Sequence, residues 1–345
     1  MKPAIETPAS LGYRWPAEWE PHAATWVAWP HNRDTWPGKF ECIPQQFALL
    51  VRTIAEFEPV NVLAGRHGVF EEAKRLVGDL QNVTLWDIPT DDAWCRDHGP
   101  TFLAAPAHRE PALVNWDYNA WGGKYPPCDN DNAVPQRIAQ HAQRRPFMPR
   151  IVLEGGAIDG DGQGSLLTTE SCLLNRNRNP GKNRDHVEQC LKDFLGVRNV
   201  LWLSDTELAG DDTDGHVDQL ARFVDANTVV AAIETNPSDV NYATLQGNLR
   251  QLRAMSDEQG RALNVVALPM PAPKFCEGRR LPASYVNFYI ANGLVVVPQY
   301  EDAADEIAVG TLRGLFPTRQ IKPLPALDIV WGLGGFHCLT QQEPG

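Results

Sequence analysis

Apolar runs bounded by Gly, Pro, Asn and Asp recur along the whole chain, at 25–29, 60–64, 83–88, 101–104, 112–116, 151–158, 165–174, 200–203, 220–224, 228–233, 265–268, 286–290 and 294–297. Their length and their β-branched and aromatic content predict strands. Asn292 and Gly293 part the last two runs, and Asn-Gly supplies the positive φ values of a tight hairpin turn. Helical patterns lie between the runs. In 44–58, Phe47, Leu50, Ile54 and Phe57 recur at three- or four-residue intervals, behind a Pro44 suited to the first turn. The stretches 70–78, 134–144, 186–195, 242–258 and 303–315 read similarly. The order is often strand, strand, helix, strand, which predicts an α/β protein with mixed sheets. No Pro/Gly/Ser-rich linker or charge block divides the chain, so 1–345 is expected to form a single domain. A period near one fifth of the length shows in the element spacing but not in repeated residues. Periodicity alone therefore does not establish internal repeats.

Composition narrows the class. With 43% apolar and 21% charged residues, the 345-residue chain has enough core-forming material for a globular fold. Its 43 acidic against 31 basic residues leave a formal charge of −12, which argues against a nucleic-acid or anionic-membrane partner and favours a cationic substrate at long range. No run approaches the ~18 apolar residues of a membrane span. The opening MKPAIETPAS lacks the apolar core of a signal peptide, so a cytoplasmic location is expected. The cysteines, Cys42, Cys95, Cys128, Cys172, Cys190, Cys276 and Cys338, are odd in number, scattered and without a CxxC pair. That opposes a disulfide framework or a zinc ribbon and leaves each thiol as packing or as a nucleophile.

Three kinds of feature could carry chemistry. The Gly-rich run 159–164 lacks the GK[ST] ending of a phosphate loop; Asp159, Asp161, Gly164 and Glu170 mimic a calcium loop, but flanking strands favour a plain turn. A second run, Gly332, Leu333, Gly334, Gly335, Phe336, His337, Cys338, lets backbone approach a ligand just before a cysteine, while Thr340, Gln341 and Gln342 beyond it are polar and unlike a core strand. Among carboxylates, Asp97 follows Trp94, Cys95 and Arg96, and Glu154 ends an apolar run before two glycines. Asp218 stands two residues after His216, on the same face of an extended segment. Trp94 and Trp121 adjoin acidic or Gly-rich turns where an indole face could hold a flat cation. Each alone also reads as packing, a cap or a surface charge. Together, a cysteine, a histidine and several carboxylates suit a planar guanidinium: carboxylates accept its N–H fork, the cation favours a thiolate, and histidine moves protons.

Segments spanning nearly the whole chain resemble the agmatine deiminases, of the bacterial-type peptidylarginine deiminase family within the guanidine-modifying superfamily. They are PAEWEPHAATWVAWPHNRDTWPG (16–38), DDAWCRDHGPTF (91–102), NWDYNAWGGKYPP (115–127), LEGGAID (153–159), LLTTESCLLNRNRNP (166–180), DDTDGHVDQLARF (211–223), ASYVNFYIANGLVVVPQY (283–300) and FHCLTQQ (336–342). The resemblance implies the pentein fold, a pseudo-five-fold α/β propeller of ββαβ units around a central active site. It also implies hydrolysis of agmatine to N-carbamoylputrescine and ammonia without metal or cofactor. Cys338 then becomes the nucleophile, His216 the general acid/base, and Asp97 and Asp218 the guanidinium-binding carboxylates. Glu154 would bind guanidinium and help position the histidine. Trp94, Trp121, Asp91 and Asp214 are the candidates for pocket wall and tail contacts. Two departures from the family pattern touch the pocket rim: Leu333 and Phe336 interrupt and end the glycine run differently, and Asp214 stands where Asn is frequent. The alternatives are a deiminase of free or peptidyl arginine, an amidinotransferase, in which an amine resolves the intermediate, and a non-catalytic guanidinium-binding module. The expected partner is the small guanidinium substrate, with a second copy of the chain as a further candidate.

Overall fold

In the computed structural model, which describes residues 6–66, 68–105, 109–204 and 206–345, one sequence of elements repeats. The first five residues of the opening segment MKPAIETPAS lie outside the described residues. Strand β1 (His22–Ala28) leads through helix Ile43–Ala55 to a parallel β2 (Val60–Leu63), then through helix Val69–Val77 to β3 (Val83–Trp86). An antiparallel pair, β4 (Thr101–Leu103) and β5 (Ala112–Val114), crosses by helix Asp129–His141 to a parallel β6 (Arg145–Phe147). The same arrangement recurs in β7 (Ile158–Gly160), β8 (Ser165–Thr169) and β9 (Asn199–Leu203), with helix Arg184–Leu195 as the crossover. It recurs again in β10 (Ala221–Phe223), β11 (Thr228–Ile233) and β12 (Asn264–Pro269), with helix Tyr242–Ala254. A small hairpin, β13 (Phe275–Cys276) and β14 (Arg279–Arg280), precedes the unit of β15 (Tyr289–Ala291), β16 (Leu294–Gln299) and β17 (Gln320–Pro325), crossed by helix Ala304–Leu315. Finally β18 (Thr340–Pro344) pairs antiparallel with β1, so β18, β1 and β2 complete a fifth ββαβ unit and close the ring. Each parallel step needs a crossover, and a helix supplies it: 12 or 13 residues long in the five repeated units and nine residues between β2 and β3.

The local causes are legible. Phe47, Leu50 and Ile54 are fully buried on one face of their helix, with Pro44 in its first turn. Helix Arg184–Leu195 starts where the Asn183 side chain accepts the His186 N–H and stops at Gly196, whose φ of 72° lets its N–H reach the Lys192 carbonyl. Helix Asp129–His141 begins a turn before its apolar stripe, with Asp129 and Asp131 at the positive end of the dipole.

Several expectations are corrected. Thr340, Gln341 and Gln342, read as unlike a core strand, are buried in β18 because their polar groups meet partners inside the ring. Gln341 donates to the Pro100 carbonyl (2.6 Å), Gln342 accepts from Arg96 (2.7 Å), and Thr340 donates to the Phe336 carbonyl (2.9 Å). The run 151–158 is a strand only from Ile158, since Gly155–Ala157 form a 3-10 turn, and 165–174 breaks at Thr169 into a helical turn, Glu170–Leu173. Strand β17 went unpredicted because Pro323 and Pro325 speak against a strand; it lies at a sheet edge, where proline is tolerated. In the 292–293 hairpin only Gly293 takes positive φ (67°), while Asn292 is tied to both backbone groups of His22. The 159–164 run is the turn between β7 and β8. Asp161 accepts three backbone N–H groups, Asp159 pairs with Arg222 and Glu170 with Arg184, so the calcium-like positions face separate partners. Among the described residues, no helix is long and apolar enough to cross a membrane.

Candidate active site

The five segments that join one unit to the next meet at the ring's centre, and each brings a polar group. Asp97 comes from the turn between β3 and β4, Glu154 from between β6 and β7, and His216 and Asp218 from between β9 and β10. Asn287 comes from before β15, and Cys338 from between β17 and β18. Cys338, 5% exposed, sits at the inner end of a cavity of about 600 Å³ whose wall includes Trp94, Asp97 and Trp121.

Close backbone approach shapes the centre. A Cβ on Gly334 would fall 2.3 Å from the Trp94 ring, so glycine there lets the segment before Cys338 lie flat on the indole. A Cβ on Gly156 would fall 2.5 Å from His216 Nδ1 and 2.8 Å from Asp97 Oδ1. Glycine therefore admits both groups, and its N–H donates to Asp97 Oδ1 (3.0 Å). The other oxygen of Asp97 accepts the Trp121 indole N–H (3.0 Å). Trp121 makes that bond from a left-handed backbone (φ 53°), a conformation that costs on the order of 1–3 kcal/mol and persists where surrounding contacts determine it.

Around the sulfur, the Asn287 amide donates to Cys338 Sγ (3.2 Å), while the thiol faces Asp218 Oδ2 (3.5 Å). That same oxygen accepts from His337 Nδ1 (2.8 Å), and His337 Nε2 meets Glu18 (2.9 Å). Asp218 Oδ1 is buried with no hydrogen-bond partner. His216 places Nδ1 3.6 Å from Asp97 and Nε2 3.9 Å from Glu154, and neither nitrogen has a hydrogen-bond partner. Glu154 gives one oxygen to Arg178 Nε (2.5 Å).

The charges interact strongly. Burial, then the carboxylates of Asp218 and Asp97, push the Cys338 thiol well above its usual range. Burial opposes protonation of His216, yet Asp97, Cys172 and Glu154 outweigh it and hold the imidazole well above its ordinary value. Burial raises Asp97, with His216 pulling the other way; at Asp218 the His337 contact and neighbouring cations overcome burial and lower it. The centre thus combines a thiol held neutral, an imidazolium and carboxylates.

Of the nine residues singled out from sequence, Asp97, Glu154, His216, Asp218, Cys338, Trp94 and Trp121 gather here. Asp91 and Asp214 do not reach the Cys338 cavity. Asp91 pairs with Arg66 (2.6 Å) and holds Asn130 beside an adjoining cavity of about 270 Å³; Asp214 is taken up by Lys124 (2.8 Å) and Arg178 (2.7 Å). Their neighbours Asp92 and Asp212 line the Cys338 cavity instead. Sequence reasoning assigned nothing to Asn287, His337, Arg178 or Glu18. Their only signal is that all four fall inside or beside the segments that carry the resemblance.

Residues 14–344 match the family model of Porphyromonas-type peptidyl-arginine deiminase. The chain is 38% identical to the agmatine deiminase of Pseudomonas aeruginosa strain LESB58, over 100% of this chain and 99% of that protein. Among solved structures, Enterococcus faecalis agmatine deiminase superposes with a TM-score of 0.91 at 35% identity, covering 99% of this chain and 98% of that one. C. jejuni agmatine deiminase with substrate bound gives 0.88 at 32%, covering 96% of each. DDAH from Pseudomonas aeruginosa shares the fold alone, at 0.52 and 10% identity, covering 93% and 99%.

Proposed function

Because this chain belongs to the Porphyromonas-type peptidyl-arginine deiminase family and has the pentein fold, we propose that it hydrolyses agmatine to N-carbamoylputrescine and ammonia in the cytoplasm. The observation that carries the reading is the buried, unpartnered Oδ1 of Asp218, whose other oxygen lies 3.5 Å from the Cys338 thiol. A buried acceptor without a donor is costly, and a guanidinium N–H relieves that cost.

The chemistry follows from the charges. A guanidinium between Asp97 and Asp218 replaces repulsion on the sulfur with attraction, so the substrate's own charge favours the thiolate, and the thiol proton passes to solvent. Cys338 Sγ adds to the guanidinium carbon; the tetrahedral adduct expels ammonia, with the His216 imidazolium supplying the proton. The neutral His216 then takes a proton from water as the water adds to the S-alkylthiouronium carbon, and collapse breaks the C–S bond to release the ureido product. Glu154, one oxygen held by Arg178 and the other 3.9 Å from His216 Nε2, helps position the histidine and bind the guanidinium. The Asn287 amide, donating to sulfur, stabilises its negative charge.

Substrate choice rests on the cavity wall. Asp34, Asp92, Asp212 and Glu277 outnumber Lys124 and Arg279, which suits the distal ammonium of agmatine more than an α-carboxylate. We expect kcat/KM on agmatine to exceed that on free arginine or an arginine peptide by at least about 100-fold. Parallel assays of ammonia and ureido product decide this, and a preference for arginine reverses the substrate assignment. Product that incorporates an added acceptor amine in place of water identifies an amidinotransferase.

A further inference from the structure

Beside His216 and Glu154 lies a further buried thiol, Cys172, that the reaction does not use. Cys172 Sγ is 3.9 Å from Glu154 Oε2, which is 3.9 Å from His216 Nε2, and all three ligand atoms fall within 4.8 Å of one another. Cys172 and Glu154 are fully buried and His216 is 1% exposed. The His216 nitrogens lack hydrogen-bond partners, so the ring presents a free lone pair or proton to this space.

We propose that these three side chains form an inhibitory site for a thiophilic divalent cation, zinc foremost, with water as its fourth ligand. One thiolate, one imidazole and one carboxylate are a zinc-type donor set. Zn–S and Zn–N/O bonds of ~2.3 and ~2.0–2.2 Å place tetrahedral ligand atoms ~3.4–3.6 Å apart, so a contraction of roughly an ångström completes the site. The surroundings already orient the ligands. Asp97 lies 3.6 Å from His216 Nδ1, the carboxylate–histidine–metal arrangement, and Arg178 holds the far oxygen of Glu154 while leaving Oε2 free. On entry of the ion the Cys172 thiol and the His216 imidazolium each give a proton to solvent, which frees the thiolate and the Nε2 lone pair as ligands. A metal on Nε2 removes His216 from proton transfer, so the cation blocks turnover without touching Cys338.

The inhibitory part rests on the deiminase reading with His216 as acid/base; the metal site does not. Titrating the protein with Co²⁺ in place of Zn²⁺ separates them, because a thiolate ligand gives a near-ultraviolet charge-transfer band. One equivalent of Co²⁺ gives the band in wild type and in Cys338→Ala, and the band is lost in Cys172→Ala; Cys172→Ser, of similar volume, repeats the test where the alanine variant folds poorly. Outer-shell partners of a metal are worth ~10–100-fold in affinity and a ligand more. The zinc concentration halving each variant's own zinc-free rate therefore rises by about 100-fold or more without Cys172. Absence of the band in wild type, its survival in both Cys172 variants, or its loss in Cys338→Ala overturns the site. A band with zinc-insensitive turnover overturns the inhibition alone. A wild-type protein that shows the band but never turns over agmatine overturns the deiminase reading and leaves the metal site standing.

Discussion

Asp218→Asn moves two readouts in opposite directions, which makes it the sharpest test of the proposed site. Asp218 Oδ1 is buried and unpartnered, while Oδ2 is shared by His337 (2.8 Å) and the Cys338 thiol (3.5 Å). Asparagine keeps one acceptor and turns the other into a donor. Losing one charge-assisted bond to a guanidinium costs about 1.5–3 kcal/mol, and weakening the second to neutral strength costs about 1 kcal/mol more. The sum, ~2.5–4 kcal/mol, lowers kcat/KM on agmatine by ~10²–10³. The free enzyme responds the other way. After burial, the Asp218 charge is the main influence that raises the Cys338 thiol. Removing that charge increases the thiolate fraction near neutrality, so Cys338 reacts faster with uncharged iodoacetamide. The assay pairs steady-state ammonia release with mass-spectrometric alkylation rates at Cys338 across pH. A folded variant with kcat/KM within about tenfold of wild type, or one whose Cys338 alkylates no faster, refutes the argument.

Cys338→Ala abolishes turnover, while Cys42→Ala or Cys190→Ala, lying outside the cavity, retain it; steady-state turnover by folded Cys338→Ala ends the covalent mechanism. Exhaustive chelation leaves ammonia release intact or raises it where zinc is present, because the nucleophile is a protein thiol; loss restored by one specific metal contradicts this. Glu18→Gln strips the charge that Arg222 (2.8 Å), His337 (2.9 Å) and Arg96 (3.3 Å) share, and breaking a buried pair of this kind costs about 3–5 kcal/mol by urea unfolding at pH 7. Burial opposes the Glu18 charge but those cations outweigh it and hold its pKa well below the usual value of 4.5. A depressed folded value means stability that is fully present above 4.5 and lost progressively as pH falls from there through the lower folded value, so the gap between wild type and variant narrows in acid; a constant gap counts against the linkage.

Local patterning determined much of this protein. Periods of two and of three to four residues report which face of a segment meets the core, and that placed most strands and all six of the longer helices. The resemblance singled out Cys338, His216, Asp97, Asp218 and Glu154, which the structure brings to one centre. Patterning could not see what ring closure imposes. Thr340, Gln341 and Gln342 look like surface because their side chains are polar, and they are buried because β1, more than 300 residues earlier, and Arg96 supply the partners. Nor could spacing tell Asp92 from Asp91, or Asp212 from Asp214. Residues so close in sequence aim their carboxylates at different neighbours once the loops are folded, and only one of each pair reaches the Cys338 cavity. Glu154 shows the same limit, since its charge is balanced by Arg178 from a different turn. His337, next to the nucleophile in sequence, became intelligible only with Asp218 and Glu18 on either side of it. Short-range periodicity encodes burial, whereas electrostatic partnership depends on through-space distances of a few ångströms between segments that only the closed ring brings together.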